Sequence, residues 1–485
     1  MVFSVLHVLG LAGLMFAAAM VPVFMFSAVT EAREITTSIL IAMLLTGFVS
    51  GAMVLSAKGR EVKLERREAF LLAAMLWTVL PAFGALPLLP YLSPWDAYFE
   101  ALSALTTTGY TSIADFDVMP RSALLWRSVM QWCGGLATIL LAVVLLGLFG
   151  LGGLAVYRSA IPSGSEDETL VHRLRETFQA VLWVYGLLTF FGVLALWLTG
   201  TPVFDSLCFS MSAISSGGFS PHPTSAAGLS IGSRMVLVMM MLIAAVNFTL
   251  HWAAFHGRWR GYLVDSEIRI LVAVGVILVP LITYLLMSNI DRSFTQAGAE
   301  GLFAFASVVT TTGFIDLPFS VTVGATQWPT PLSLLLLILA MVGGAAGSTA
   351  GGIKLLRMYL LMRQGGAELT RLSYPSAVVP VRYGGFAVSA TVLQATWNFL
   401  MLFVLSLAAL TVLLAIFGIE FQAAITLAVG ALSNSGPAMQ YVMLDIPGIS
   451  ELPLGARLAL MVGMLAGRLE ILALLGLMSI SFWRR

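Results

Sequence analysis

The chain has 485 residues, of which only 10% are charged, 25 basic against 24 acidic, and its mean hydropathy is +0.96. A soluble globular chain carries about a quarter of its residues as charges, so this composition excludes a soluble enzyme and a disordered scaffold. A net charge of +1 also gives nucleic acid no basic face to bind. The expected solvent is a lipid bilayer. Cys133 and Cys208 sit in apolar stretches and suggest neither a disulfide framework nor a metal site.

Taken in chain order, runs long enough to cross a bilayer, about 20 mainly apolar residues each, fall near 4–28, 36–57, 69–90, 122–150, 178–199, 234–256, 268–288, 331–362, 386–417 and 455–482. This is an all-α integral membrane fold with ten transmembrane helices. The opening MVFSVLHVLGLAG carries no early positive charge and reads as a retained first span. Shorter apolar stretches at 95–107, 203–216, 296–311 and 421–433 cannot cross, and each runs into a Gly-, Ser- or Thr-rich segment. They read as re-entrant. Placing the loop with Lys58, Arg60, Lys63, Arg66 and Arg67 in the cytoplasm puts eighteen of the 25 basic residues there and six outside, with Arg468 left inside the last span. By the positive-inside rule both termini are cytoplasmic and the re-entrant stretches enter from outside. The longest cytoplasmic loops, 158–177 and 363–385, are too short for an independent domain. Any nucleotide binding would have to come from another chain.

The short stretches align with one another: ALSALTTTGYTS (101–112), SMSAISSGGFSP (210–221), FASVVTTTGFID (305–316) and AVGALSNSGPAM (428–439). One column holds Gly109, Gly218, Gly313 and Gly436, preceded by Thr107-Thr108, Ser216-Gly217, Thr311-Thr312 and Asn434-Ser435. An acid stands 13 residues before the glycine in three copies, Asp96, Asp205 and Glu300, where the fourth has Ala423. The expected organisation is an N-terminal two-span unit (1–57) and four helix–pore helix–filter–helix repeats, 69–156, 177–257, 268–363 and 385–485, in a pseudo-fourfold array around one pore. A helix that stops halfway through the membrane aims its negative dipole end at the axis. The extended segment after it presents carbonyl and hydroxyl oxygens in place of an ion's hydration shell, and glycine permits backbone angles closed to other residues. Gly and Thr in a single copy would more often mean close helix packing; four copies at equivalent places point to a cation filter. For Asp96, Asp205 and Glu300 a helix start is the simpler reading, shown by Ser93-Pro94-Trp95-Asp96, with attraction of external cations as the alternative.

These motifs, together with VGGAAGSTAGGIK (342–354) and MLAGRLEI (464–471), resemble the membrane subunit of the Trk/Ktr/HKT potassium-uptake superfamily over nearly the whole chain. The two extra N-terminal spans make the chain most similar to the bacterial TrkH/TrkG branch. The resemblance implies a pseudo-fourfold potassium pore in one chain, with Gly109, Gly218, Gly313 and Gly436 as filter glycines. It also implies a homodimer in the bacterial inner membrane under a cytoplasmic nucleotide-binding regulatory subunit of the TrkA kind, with potassium as the transported and filter-bound ion and no organic cofactor in the chain. The second copy departs from Thr-Thr-Thr and the fourth has Pro437 after its glycine, so the ring is asymmetric. One glycine per copy implies potassium preference with imperfect rejection of sodium. In some plant relatives a serine at the first filter glycine accompanies sodium transport, which Gly109 argues against.

The eighth span contains Gly343, Gly344, Gly347, Ser348, Thr349, Gly351 and Gly352. Each interior glycine costs about 1 kcal/mol of helix stability, so the helix should open near mid-membrane; the Gly347–Gly351 pair alternatively suits a packing face. The resemblance implies an intramembrane gate loop over 342–352. Arg468 is the only basic residue deep in a span, where a charge must face water or a partner. It either pairs with another helix or stands beside the ion path as a brake, as the resemblance implies, and Arg468→Ala should then raise flux. His251 and His256, near Trp252 and Trp259, read as interfacial anchors. A symporter coupling potassium to protons or sodium shares spans and repeats, although alternating access favours paired repeats. A serine hydrolase using Ser348 or Ser435 would need a basic partner that the spans do not offer.

Overall fold

The computed structural model describes residues 2–57, 66–149, 170–290, 293–316, 328–384 and 386–469. Of the residues expected on the cytoplasmic face, Lys58, Arg60, Lys63, Arg158, Arg484 and Arg485 lie outside them, as does Glu470 of the last motif. Two antiparallel helices come first, α1 (Val2–Thr30) and α2 (Arg33–Ser56). Phe16 and Met20 of α1 then pack into a core with Trp77 and Trp126 of the first repeat.

The same order of elements follows four times: a long helix, a short helix ending in a glycine motif, and a third helix. The first unit is α3 (Arg66–Ala85), α4 (Pro94–Leu105) and α5 (Arg121–Phe149). The second is α6 (Leu170–Leu198), α7 (Val203–Ile214) and α8 (Ile231–Ala244), continued by α9 (Phe248–Phe255) and the single turn α10 (Gly261–Val264). The third is α11 (Ser266–Ile290), α12 (Phe294–Val309) and α13 (Thr330–Val342), resumed as α14 (Leu355–Ser373). A two-residue ladder, β1 (Arg382–Tyr383) with β2 (Phe386–Ala387), precedes the fourth, α15 (Ala390–Ile416), α16 (Phe421–Ser433) and α17 (Leu454–Leu469).

Among the described residues seven helices are long and apolar enough to cross a membrane, and the bent pair α8–α9 makes an eighth candidate. The two remaining expected spans differ for identifiable reasons. The stretch at 331–362 is broken by the glycine segment into α13 and α14, and the last is described only to Leu469. The stretch at 234–256 is also not one straight rod. It turns by 98° after Ala244, where Asn247 restarts the helix by accepting the Thr249 amide at 2.9 Å. The short helices have 12, 12, 16 and 13 residues, about 18–24 Å at 1.5 Å per residue against a hydrocarbon core of about 30 Å. They are buried on nearly every side, as helices without a polar face must be.

Candidate functional site

All four short helices end in the same way. The amides of Thr108, Gly217, Thr312 and Ser435 bond five residues back, to the carbonyls of Ser103, Ser212, Ser307 and Gly430, at 2.9–3.1 Å. The preceding residue's amide bonds three back, to Ala104, Ala213, Val308 and Ala431. This is the Schellman ending, which requires a left-handed residue at the position before the long bond. Thr107, Ser216, Thr311 and Asn434 occupy it with φ between +49° and +55°. The position normally belongs to glycine, and a side-chain-bearing residue there costs about 1–2 kcal/mol. Among the described residues no hydrogen bond is donated to the carbonyls of these four residues, although all four are fully buried.

The glycine column behaves alike in three copies. Gly109, Gly218 and Gly313 have φ of +82°, +78° and +91°. Gly436 differs: its φ is −50°, set by the Pro437 turn, and its smallness is needed instead because a Cβ there would lie 2.8 Å from the Tyr110 ring. The expectation that each glycine serves a conformation closed to other residues therefore fails at the fourth.

The motifs meet in cyclic order. A Cβ on Gly109 would overlap the Gly217 carbonyl oxygen, and one on Gly218 the Thr312 carbonyl oxygen. A Cβ on Gly313 would touch Pro437 and the Ala438 amide at 3.0 Å, while the Gly436 amide donates to the Thr108 carbonyl at 2.7 Å. First touches second, second third, third fourth, and fourth first. Most motif hydroxyls pair within their own motif, Thr106 with Thr108, Thr310 with Thr312 and Ser433 with Ser435 at 2.8–2.9 Å, although the Thr108 hydroxyl also accepts from Asn434 Nδ2 of the fourth motif at 2.9 Å.

Several supporting groups escaped the sequence reading. Glu100 inside α4 and Arg127 of α5 form a buried ion pair at 2.6 Å. Glu100 also accepts the Ser112 amide at 2.7 Å and the Thr111 hydroxyl at 3.0 Å, and the Arg127 guanidinium lies 3.9 Å from the centre of the Phe219 ring after the second glycine. Gln131 donates to the Gly217 carbonyl at 2.7 Å, Tyr110 to the Leu427 carbonyl at 3.1 Å, and Tyr441 to the Asp316 carboxylate at 2.7 Å. An acid within an otherwise apolar half-helix was the available signal for Glu100. Arg127, one of the six basic residues that the positive-inside count places outside, is instead 1% exposed.

The glycine segment is a loop, as its composition predicts, with Gly343, Gly347 and Gly352 at positive φ. It lies against the motifs. The Ala345 amide donates to the Ala245 carbonyl at the α8–α9 bend at 2.8 Å, that of Ala346 to the buried Glu267 carboxylate at 2.6 Å, and that of Gly351 to the Thr311 hydroxyl at 2.6 Å. The Thr349 and Ser216 hydroxyls lie 2.8 Å apart. Gly344 packs against Ala350 and Ala245, and the Ser348 hydroxyl donates to the Ala345 carbonyl at 2.6 Å. Arg468 reaches the same place from α17, buried, donating to the Thr106 carbonyl, the Thr107 hydroxyl and, at 3.0 Å, the Thr349 carbonyl.

A family model described as TrkH, "Cation transport protein", matches residues 35–482. The chain belongs to the TrkH family. It is 38% identical over 435 residues to the "Trk system potassium uptake protein TrkH" of Vibrio parahaemolyticus, covering 87% of each chain. It is 36% identical over 489 residues to the protein of that name from Halomonas elongata, covering 99% of each, and 35% identical over 429 residues to that of Escherichia coli K12, covering 87% of each. The crystal structure of "the Potassium Transporter TrkH from Vibrio parahaemolyticus" matches with a TM-score of 0.90 at 33% identity, covering 99% of both chains. The relatives are named as transport proteins and not as enzymes.

The acids 13 residues before the glycines do not share one role in this TrkH-family chain. Asp96 caps α4 with Ser93 at 2.6 Å and pairs with Arg457. Asp205 pairs with His222 at 3.0 Å. Glu300 is not at a helix start, because α12 begins earlier, capped by Ser293. His251 is not an interfacial anchor either: it is buried and bridges the bend, bonding Tyr262 at 2.7 Å and Ile243 at 3.0 Å.

Proposed function

We propose that this chain takes up potassium across the bacterial inner membrane through a pore formed by its four motifs, with pseudo-fourfold symmetry over ten spans and cytoplasmic termini. The observation that carries the reading is the closed cycle of motif contacts joined to four unbonded carbonyls at one register, on Thr107, Ser216, Thr311 and Asn434. Buried carbonyls without partners are costly, and a dehydrated monovalent cation is the ligand that such a cluster suits. Main-chain carbonyls rather than hydroxyls select the ion in this reading, because with the loop seated the hydroxyls are bonded elsewhere. The names of the relatives supply potassium as the ion. The loop at 343–354 and Arg468 form the gate directly beneath the motifs. A homodimer and a cytoplasmic nucleotide-binding subunit of the TrkA kind complete the assembly, in keeping with the basic residues expected on that face.

A channel-like passage is favoured over symport by the single cycle of four motifs. Among the described residues neither Ser348 nor Ser435 is bonded to a histidine or lysine, which removes the support for a hydrolase. Rubidium uptake in cells lacking their own potassium uptake tests the reading. The wild type should restore uptake, and Gly109→Ser and Gly313→Ser should lose selectivity against sodium. A current in purified bilayers whose reversal potential follows a proton gradient would replace the channel with a coupled carrier.

A further inference from the structure

The gate segment and the motifs meet at one repeated position. Each short helix places its left-handed residue at its inner end, and every one of the four side chains bonds toward the loop or α17. Arg468 donates to the Thr107 hydroxyl, and the Gly351 amide donates to the Thr311 hydroxyl at 2.6 Å. Ser216 meets the Thr349 hydroxyl at 2.8 Å, and Asn434 donates to the Met464 carbonyl at 3.0 Å, in the helix that carries Arg468, as well as to the Thr108 hydroxyl at 2.9 Å. Asn434 Oδ1, buried at the same register, accepts no hydrogen bond among the described residues. Glycine would satisfy this backbone without strain, so keeping hydroxyl and amide side chains here in all four copies calls for a task beyond ending the helix.

We propose that these four side chains are latches used alternately by the gate and by the permeating cation. This inference rests on the pore reading above. With the loop seated, the oxygens of Thr107 and Thr311, which are not neighbours in the cycle, accept hydrogen bonds from the gate. The Arg468 guanidinium holds the Thr106 carbonyl as well. A hydroxyl oxygen whose lone pair faces a donor cannot also turn that lone pair to a cation, and a guanidinium in that place repels one. Cation occupancy at the inner end of the filter and a seated loop therefore exclude one another. Potassium reaching the inner end from outside displaces the latches and favours the open state, so the transported ion acts on its own gate. The carbonyls that select the ion belong to the main chain and do not depend on the hydroxyls.

The test uses the full-length purified protein in planar bilayers, measuring open probability and the potassium-to-sodium reversal potential as potassium is raised at constant ionic strength with an impermeant organic cation. Wild-type open probability should rise with potassium. Thr311→Gly removes the acceptor for Gly351 while relieving the left-handed strain, so it should remain folded, checked by gel filtration. It should open several-fold more at low potassium, with a flattened potassium dependence. Thr311→Ser, which restores a hydroxyl, should return toward the wild type. A wild-type open probability indifferent to potassium overturns the proposal, as does a folded Thr311→Gly protein whose opening is unaltered. Lost selectivity without increased opening would make Thr311 an ion ligand alone and also overturn it. An absence of any cation current from the wild type would refute the pore reading itself, a result distinct from a current that ignores potassium.

Discussion

Removing one member of the Glu100–Arg127 pair should be among the most damaging single changes available. Glu100 is fully buried and Arg127 1% exposed, and their 2.6 Å contact sits behind the first motif. Arg127→Met leaves the Glu100 carboxylate facing only the neutral donors Thr111 and Ser112, and breaking a buried pair from one side costs about 3–5 kcal/mol. The lost stacking on Phe219, 3.9 Å away, adds to this by about 1–2 kcal/mol for a desolvated site. At about 4 kcal/mol the ratio of folded to unfolded protein falls nearly a thousandfold. Glu100→Gln should cost a comparable amount for the mirrored reason. The double variant Glu100→Gln/Arg127→Met carries no buried charge, so it should be more stable than the sum of the singles by about 2–3 kcal/mol. Denaturant unfolding in detergent micelles measures all four corners of this cycle. Singles that unfold like the wild type, or effects additive within about 0.5 kcal/mol, would refute the pair as the brace behind the first motif.

Other outcomes follow from single observations. Gly109→Ala forces a side chain onto φ +82° and into the Gly217 carbonyl, whereas Gly436→Ala meets the Tyr110 ring and the Thr108 oxygen first, at 2.8–2.9 Å, with an allowed φ of −50°; rubidium uptake should survive the second change better than the first, and equal loss would contradict the two backbone states. Asn247→Ala removes the cap that restarts α9 after the 98° bend, at about 1 kcal/mol, and should increase amide exchange at Thr249 and, through the Ala245 carbonyl, at Ala345; unchanged exchange at both would disprove the cap. The hydrogen bond to Asp205 raises the His222 pKa above 6.5, against partial desolvation. The charged pair therefore contributes stability in full below 6.5, and that contribution disappears as pH rises through the folded value. Unfolding temperatures of the wild type should fall toward those of His222→Gln between about pH 6 and 8, in the range where an imidazole titrates; a constant difference would exclude the pair.

The chain itself determined its solvent, its long helices and its four motifs. Each of these rests on a local pattern: enough apolar residues in a row to satisfy the backbone within one segment, or a glycine flanked by small polar residues where a helix must stop. The loop at 343–354 was legible for the same reason, because so many glycines in so few residues cannot hold a helix. Only the tertiary structure decided which motif oxygens accept no hydrogen bond among the described residues. The motif hydroxyls looked like ligands in the sequence, yet they bond one another, the loop at 343–354 or Arg468, because burial obliges each of them to find a partner. Glu100 and Arg127 stand 27 residues apart, and Thr107 and Arg468 361 apart. No periodicity links residues so distant, and packing alone brings them together. Arg468, an isolated charge in the sequence, acquires its three oxygen partners only where the first motif, the loop and the last helix converge.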